Sequence, residues 1–324
     1  MISNKTNLSV DLAPKNRHHL RLSNPIMIAS GTFGYDGYGR GIAPEMDLSL
    51  LGAVIPKTVT WWPREGNPEP RWYPASYRQA VEQGESIFLN SIGLANPGIK
   101  AALGQMAPQW AGWGTTVILS IAGESVAQFG EMAAMAQSSP FPPHAIELNL
   151  SCPNTENGAF FSHHAELTGD VVREVRTNAD LPVLVKLAPN VPDITEIARA
   201  AVDAGADALT ITNTIPAMAI DIDTRKPILG GATGGLSGAG LRAIALAMVY
   251  HTFQVVDVPI IGVGGIFNAR HALEYIMAGA TAIQVGSANL ANLWAPFHIL
   301  EGMRGYLEKA GVQDISELVG VVHV

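Results

Sequence analysis

Two lysines, one cysteine and several amides stand where apolar runs of this chain end. Lys57 closes AVIPKT, Lys186 closes PVLVKL, and NLSCPN at 149–154 overlaps the end of AIELNL. A lysine ending an apolar strand is costly to bury without a partner. Either it snorkels to solvent or it faces an anionic group; two at one level, with no acid beside them, favour the anion. The other residues at such positions are Ser30, Gly31, Thr58, Ser120, Asn149, Cys152, Asn213, Thr214, Gly264, Gly265, Gly286 and Ser287. None is a carboxylate, so the set suits an anionic, hydrogen-bonding ligand and offers no cage for a divalent metal. A thiol of ordinary pKa about 8.5 becomes a proton acceptor when a positive charge or bound substrate favours its thiolate. Cys152 could be such a base, or an inert small hydrophobe. GVGGI at 262–266 and VGSAN at 285–289 offer backbone N–H groups to a phosphate, although Gly also ends strands for purely structural reasons. NSIGLANPG at 90–98 adds Asn90 and a Gly93 turn, which ordinary turn chemistry also explains, and Pro97 can start a helix. The nine histidines show no metal-binding spacing.

These residues need elements to hold them. Short β-branched runs alternate with Ala/Leu-rich stretches of helical spacing, which predicts parallel strands. Strands are expected at 25–29, 53–58, 116–121, 145–150, 182–187, 207–212, 259–263 and 281–285. Helices are expected at 97–106, 125–137, 165–178, 193–204, 239–254, 268–278 and from Pro296. Asp193 and Glu196 read as a capping box, with Gly205 as the left-handed stop. Eight βα units with apolar strands predict an α/β fold, a closed (β/α)₈ TIM barrel, with a doubly wound open sheet as the alternative. Insertions at 60–89 and 214–237 fall on the βα side, where barrel enzymes build their sites. The first reads as an ordered loop or hairpin lid without a helical stripe. No linker or composition shift divides the chain, so residues 1–324 are expected to form one domain.

Composition narrows the function. The 324 residues are 48% hydrophobic and 15% charged, with a net charge of −8 and no basic cluster. A large core is affordable, and a nucleic-acid partner is not expected. The single cysteine excludes an intrachain disulfide, a cysteine zinc cage and an on-chain iron–sulfur cluster. With no signal-peptide pattern and no long apolar run, a cytoplasmic protein without a membrane partner is expected.

Taken together, NPIMIASGTFGY, KTVT with REGNPEPR, NSIGLANPG, ELNLSCPN, PVLVKLAPN, LTITNT, GGLSG, VGGI and QVGSA resemble the dihydroorotate dehydrogenase family, from about Leu8 to Leu318. The resemblance implies FMN at the barrel mouth and oxidation of (S)-dihydroorotate to orotate in pyrimidine synthesis. It carries FMN contacts to Ser30, Gly31, Lys57, Thr58, Asn149, Lys186, Thr212, Gly238, Gly264, Gly265, Gly286 and Ser287, with Ser120 as a further candidate. The pyrimidine would be held by Lys57, Asn90, Ile92, Gly93, Leu94, Asn149, Asn154, Asn213 and Thr214. Cys152 would take the C5 proton while hydride leaves C6 for flavin N5. A cysteine there, and a short N-terminus, resemble class 1; NSIGLANPG resembles class 1B, whose partner subunit carries FAD and an iron–sulfur cluster. A homodimer is also expected. The sequence departs from the family at Ser120, where Asn is usual, in TENGAFFSHH after Cys152, and in the insert NRHHL at 16–20. Rival readings are a flavin barrel acting on another pyrimidine, as in dihydropyrimidine dehydrogenase, a lyase or isomerase using Lys186 as a Schiff base, and a silent scaffold subunit.

Overall fold

The computed structural model describes residues 6–37, 45–151 and 160–323. Eight parallel strands form a closed barrel in sequence order: β1 (Ile26–Ile28), β2 (Ala53–Val54), β3 (Thr116–Ile121), β4 (Ala145–Asn149), β5 (Val183–Leu187), β6 (Ala208–Ile211), β7 (Ile260–Val263) and β8 (Ala282–Val285). Closure comes from β8 pairing with β1, Gln284 opposite Met27. Every residue of β5, β6, β7 and β8 is buried. Covered on both faces, such strands lose polar alternation, which is why they read as unbroken apolar runs. This is the expected (β/α)₈ barrel.

The interior is layered. Ala53, Ala145, Ala208 and Ala282, from alternate strands β2, β4, β6 and β8, meet Met27, Ile118, Leu184 and Ile261 from the others. Four alanines leave space at the base of the barrel. The N-terminal hairpin of Val10–Asp11 and Arg21–Leu22 occupies it, packing Leu12, Leu20 and Leu22 into the same cluster. The NRHHL insert lies in the hairpin turn, where His19 Nδ1 meets Asp11 Oδ2 at 2.7 Å. With its base plugged, the barrel opens only toward the C-terminal strand ends.

Several local expectations need correction. The run 53–58 keeps ladder geometry only over Ala53–Val54, after which Val59 bridges to Ile121. The helix expected at 97–106 begins at Ile99, widens into a π-turn over Ala102–Met106 and resumes over Ala107–Trp110. Pro108, which lacks an N–H, follows directly, and the wider turn accommodates it. Asp193 caps its helix by accepting from the Thr195 N–H at 2.8 Å. The reciprocal box forms instead at Asp314 and Glu317.

The two insertions make one structure. Trp72–Tyr73 and Ile87–Asn90 from the first join Ile215–Ala217 and Gly234–Gly238 from the second in a four-stranded antiparallel sheet. The first is a hairpin, as expected, but it also carries the helix Tyr77–Glu82. Six residues are too few to show a helical period. No described helix is long and apolar enough to cross a membrane.

Candidate active site

Above the barrel's C-terminal end, roofed by the insertion sheet, is a cavity of about 530 Å³, within the usual range for small-molecule sites. Ser30 and Gly31 reach it from the end of β1, Lys57 and Thr58 from β2, Asn149 from β4 and Lys186 from β5. Thr212, Asn213 and Thr214 follow β6, Gly264 and Gly265 follow β7, and Gly286 and Ser287 follow β8. The segment just after the first insertion supplies Asn90, Ile92, Gly93 and Leu94, and Gly238 directly follows the second. Residues spread over more than 250 positions converge because parallel strands send all their C-terminal ends to one face.

Three expected residues are not among these. Cys152 and Asn154 lie outside the described residues. Ser120 is 1% exposed and stands behind Thr58, its Oγ 2.9 Å from Thr58 Oγ1. In register it lies opposite Glu147, two residues beneath Asn149. A serine at that depth stops at the threonine.

Hydroxyls and amides brace the floor. Thr58 Oγ1 lies 2.9 Å from Ser30 Oγ and accepts from Asn149 Nδ2 at 3.3 Å. Asn213 Nδ2 donates to Ser151 Oγ at 2.7 Å and to Asn149 Oδ1 at 3.2 Å, and Asn213 Oδ1 accepts from the Thr214 N–H at 2.8 Å. Such networks fix side-chain orientation and leave the remaining donors and acceptors aimed at a ligand. Ser151 sits inside NLSCPN and could have been singled out with its neighbours. Asn67, Ser91 and Ser237 also line the cavity; they come from the insertions, whose pairing no local pattern announces. Ser287 Oγ donates to Ser237 Oγ at 2.7 Å, tying the turn after β8 to the second insertion.

The charge pattern is one-sided. Among the described residues no aspartate or glutamate lines the wall, whereas Lys57 and Lys186 do. Burial, then the nearby Lys186, pushes the Lys57 ammonium down to about 8 from its ordinary 10.5. Desolvation and like charge both disfavour its protonated form. An anion placed near the lysines would oppose both effects by favouring the charged form. One acid lies below the floor: Glu147, fully buried, accepts from Thr210 Oγ1 at 3.1 Å and Gln284 Nε2 at 2.6 Å.

The Gly286 turn leaves open space beside the cavity. A Cβ built on Gly286 would meet nothing nearer than Ala29 Cβ and Thr32 Cγ2, both at 3.9 Å. Protein packing therefore does not demand glycine at that point, and its bare backbone leaves room for a ligand to approach closely.

A plugged parallel barrel that offers Gly turns, amides, hydroxyls and two lysines to a cavity with no acid among its described lining residues defines a site suited to an anionic, hydrogen-bonding ligand. The comparisons with known proteins agree. The family model described as dihydroorotate dehydrogenase matches residues 13–307. The chain is similar to the dihydroorotate dehydrogenase B (NAD(+)) catalytic subunit of Desulforudis audaxviator (strain MP104C), 45% identical over 305 residues, covering 94% of this chain and 95% of the relative. To the protein of the same name from Desulforamulus reducens it is 44% identical over 321 residues, covering 99% and 100%. To that from Geotalea uraniireducens (strain Rf4) it is 42% identical over 319 residues, covering 98% and 99%. The chain belongs to the dihydroorotate dehydrogenase family, whose members depend on a flavin, and its relatives are of class 1B.

Proposed function

We propose that this chain oxidises (S)-dihydroorotate to orotate in pyrimidine synthesis with FMN as its flavin, as the catalytic subunit of a two-subunit enzyme that delivers electrons to NAD. The observation that carries this reading is a cavity wall with two lysines and, among the described residues, no acid, in a chain of this family. Residues after β7 and β8, with Ser30, Gly31, Thr58, Thr212 and Gly238, would hold the FMN. Bound there, FMN would supply a two-electron acceptor for hydride from the substrate.

The chain's own residues do the rest. Asn90, Asn149, Asn154, Asn213 and Thr214 match the donors and acceptors of the ureido edge, and the Ile92-Gly93-Leu94 turn bounds the ring. Lys57 neutralises the substrate carboxylate, and Lys186 offsets negative charge that builds up on reduction. Cys152 Sγ, as thiolate, takes the proton from C5. The electron-transfer partner would carry FAD and an iron–sulfur cluster, since one cysteine cannot ligate a cluster here. A homodimer of catalytic subunits is part of the proposal.

The test is titration of the FMN-loaded chain with orotate, followed in the flavin absorbance, with turnover assayed against a dye, fumarate and NAD. The expected result is a saturable spectral shift, with turnover on the dye and none on NAD until the partner is added. Absence of an orotate response in flavin-loaded protein refutes the reading. An equal response to pyrimidines lacking the 6-carboxylate would favour the rival pyrimidine dehydrogenase.

A further inference from the structure

Asn67 belongs to REGNPEPR in the first insertion and stands on the cavity wall. Its Nδ2 donates to Ser91 Oγ at 2.9 Å, and its backbone N–H donates to the Ile92 carbonyl at 3.1 Å. Arg71 Nε in turn donates to the Asn67 carbonyl at 2.6 Å. Bare backbone presses on this pair from two sides. A Cβ on Gly93 would lie 2.5 Å from Asn67 Oδ1, and one on Gly231 would lie 2.3 Å from Ser91 Oγ and 2.8 Å from Asn67 Nδ2. The carboxamide and hydroxyl are thus clasped between the 91–94 turn and the second insertion.

That turn needs clasping. Gly93 and Leu94 are successive left-handed residues, with φ of 67° and 54°. A leucine is disfavoured there and holds the conformation only where neighbours over-determine it. Asn96 does so from the protein side, donating from Nδ2 to the Leu94 carbonyl at 2.7 Å while Oδ1 accepts from the N–H groups of Thr60 at 3.1 Å and Gly98 at 2.8 Å. Asn67 does so from the cavity side.

We infer that Asn67 is a positioning residue for the pyrimidine: through Ser91 and the Ile92 carbonyl it holds the Ser91–Leu94 turn in the shape that bounds the ring. The inference rests on the proposed function, which places the pyrimidine against that turn.

The test uses the FMN-loaded chain and the variants Asn67→Ala, Ser91→Ala and the double variant. Orotate affinity is read from the flavin spectrum, and kcat and KM are read with a dye acceptor. Losing one bond that leaves a buried partner unmet should raise orotate Kd and KM roughly tenfold. The expected pattern is that rise in each single variant, a smaller fall in kcat, unchanged flavin content, and no further loss in the double variant, because both changes break one contact. Wild-type orotate affinity in Asn67→Ala overturns the inference. So do joint loss of flavin and orotate and an additive double variant. If Asn67→Ala does not fold, Ser91→Ala must show the rise by itself, and wild-type affinity there overturns the clasp. A wild-type chain that holds FMN and ignores orotate overturns the proposed function itself.

Discussion

Replacing Lys57 with methionine should stabilise the flavin-free chain at neutral pH while weakening its hold on anions. The magnitude follows from the ammonium's surroundings. Each tenfold change in proton affinity is worth about 1.4 kcal/mol, so the drop from 10.5 to about 8 corresponds to about 3 kcal/mol. Lys57 faces the cavity, whose water screens part of its charge, so the realised figure is about 2–3 kcal/mol. Between pH 8 and 10.5 the unfolded chain binds more protons at this lysine than the folded chain does, so stability rises with pH across that window. Below it both forms are charged and the cost is full. By pH 10 it should have shrunk to about 1 kcal/mol or less. Urea unfolding of flavin-free wild type and Lys57→Met at pH 7 and pH 10 measures this directly. The expected outcome is a stability gap that narrows by about 2 kcal/mol from pH 7 to pH 10. A constant gap would refute the reasoning even if the variant were more stable, because a constant difference reports packing and not charge. Orotate binding to the loaded variant should be weaker by tenfold or more, since a charge-assisted contact of about 1.5–3 kcal/mol is lost.

Two further substitutions probe other parts of the site. Cys152→Ala should lower turnover about 10²- to 10⁴-fold while the protein stays yellow, the usual contribution of a general base; unchanged dye-linked turnover would remove Cys152 from that role. Gly286→Ala adds a Cβ with no protein atom nearer than 3.9 Å. FMN affinity should fall, as read by fluorescence titration of FMN, while the flavin-free chain still folds, as read by thermal unfolding.

The barrel was legible because its signals are local. Each strand announces itself by an apolar run, each helix by its period, and closure follows from eight repeats. The site was legible for a geometric reason: parallel strands deliver Ser30, Lys57, Asn149, Lys186 and Ser287 to one mouth whatever lies between them. Ser120 tests that rule. Its strand ends at the same mouth, but register sets it level with Glu147, a layer too deep for its short side chain. Position along a strand predicts the direction of a side chain, not its depth, and depth depends on shear between strands that no single strand encodes.

The roof was illegible for the opposite reason. Trp72 pairs with Asn90 within one hairpin, but Asn90 then pairs with Gly235, 145 residues away. An isolated two-stranded hairpin is marginal in water. Joined, the two insertions make a sheet that bridges the mouth, and they meet where Asn90 Nδ2 donates to the Gly235 carbonyl and where Gly231 packs against Ser91 and Asn67 on the cavity wall. Closing the roof and shaping the site are therefore the same event. A substitution that loosened the insertions should disturb the Asn90–Leu94 wall before the Gly turns after β7 and β8, which are anchored on barrel strands.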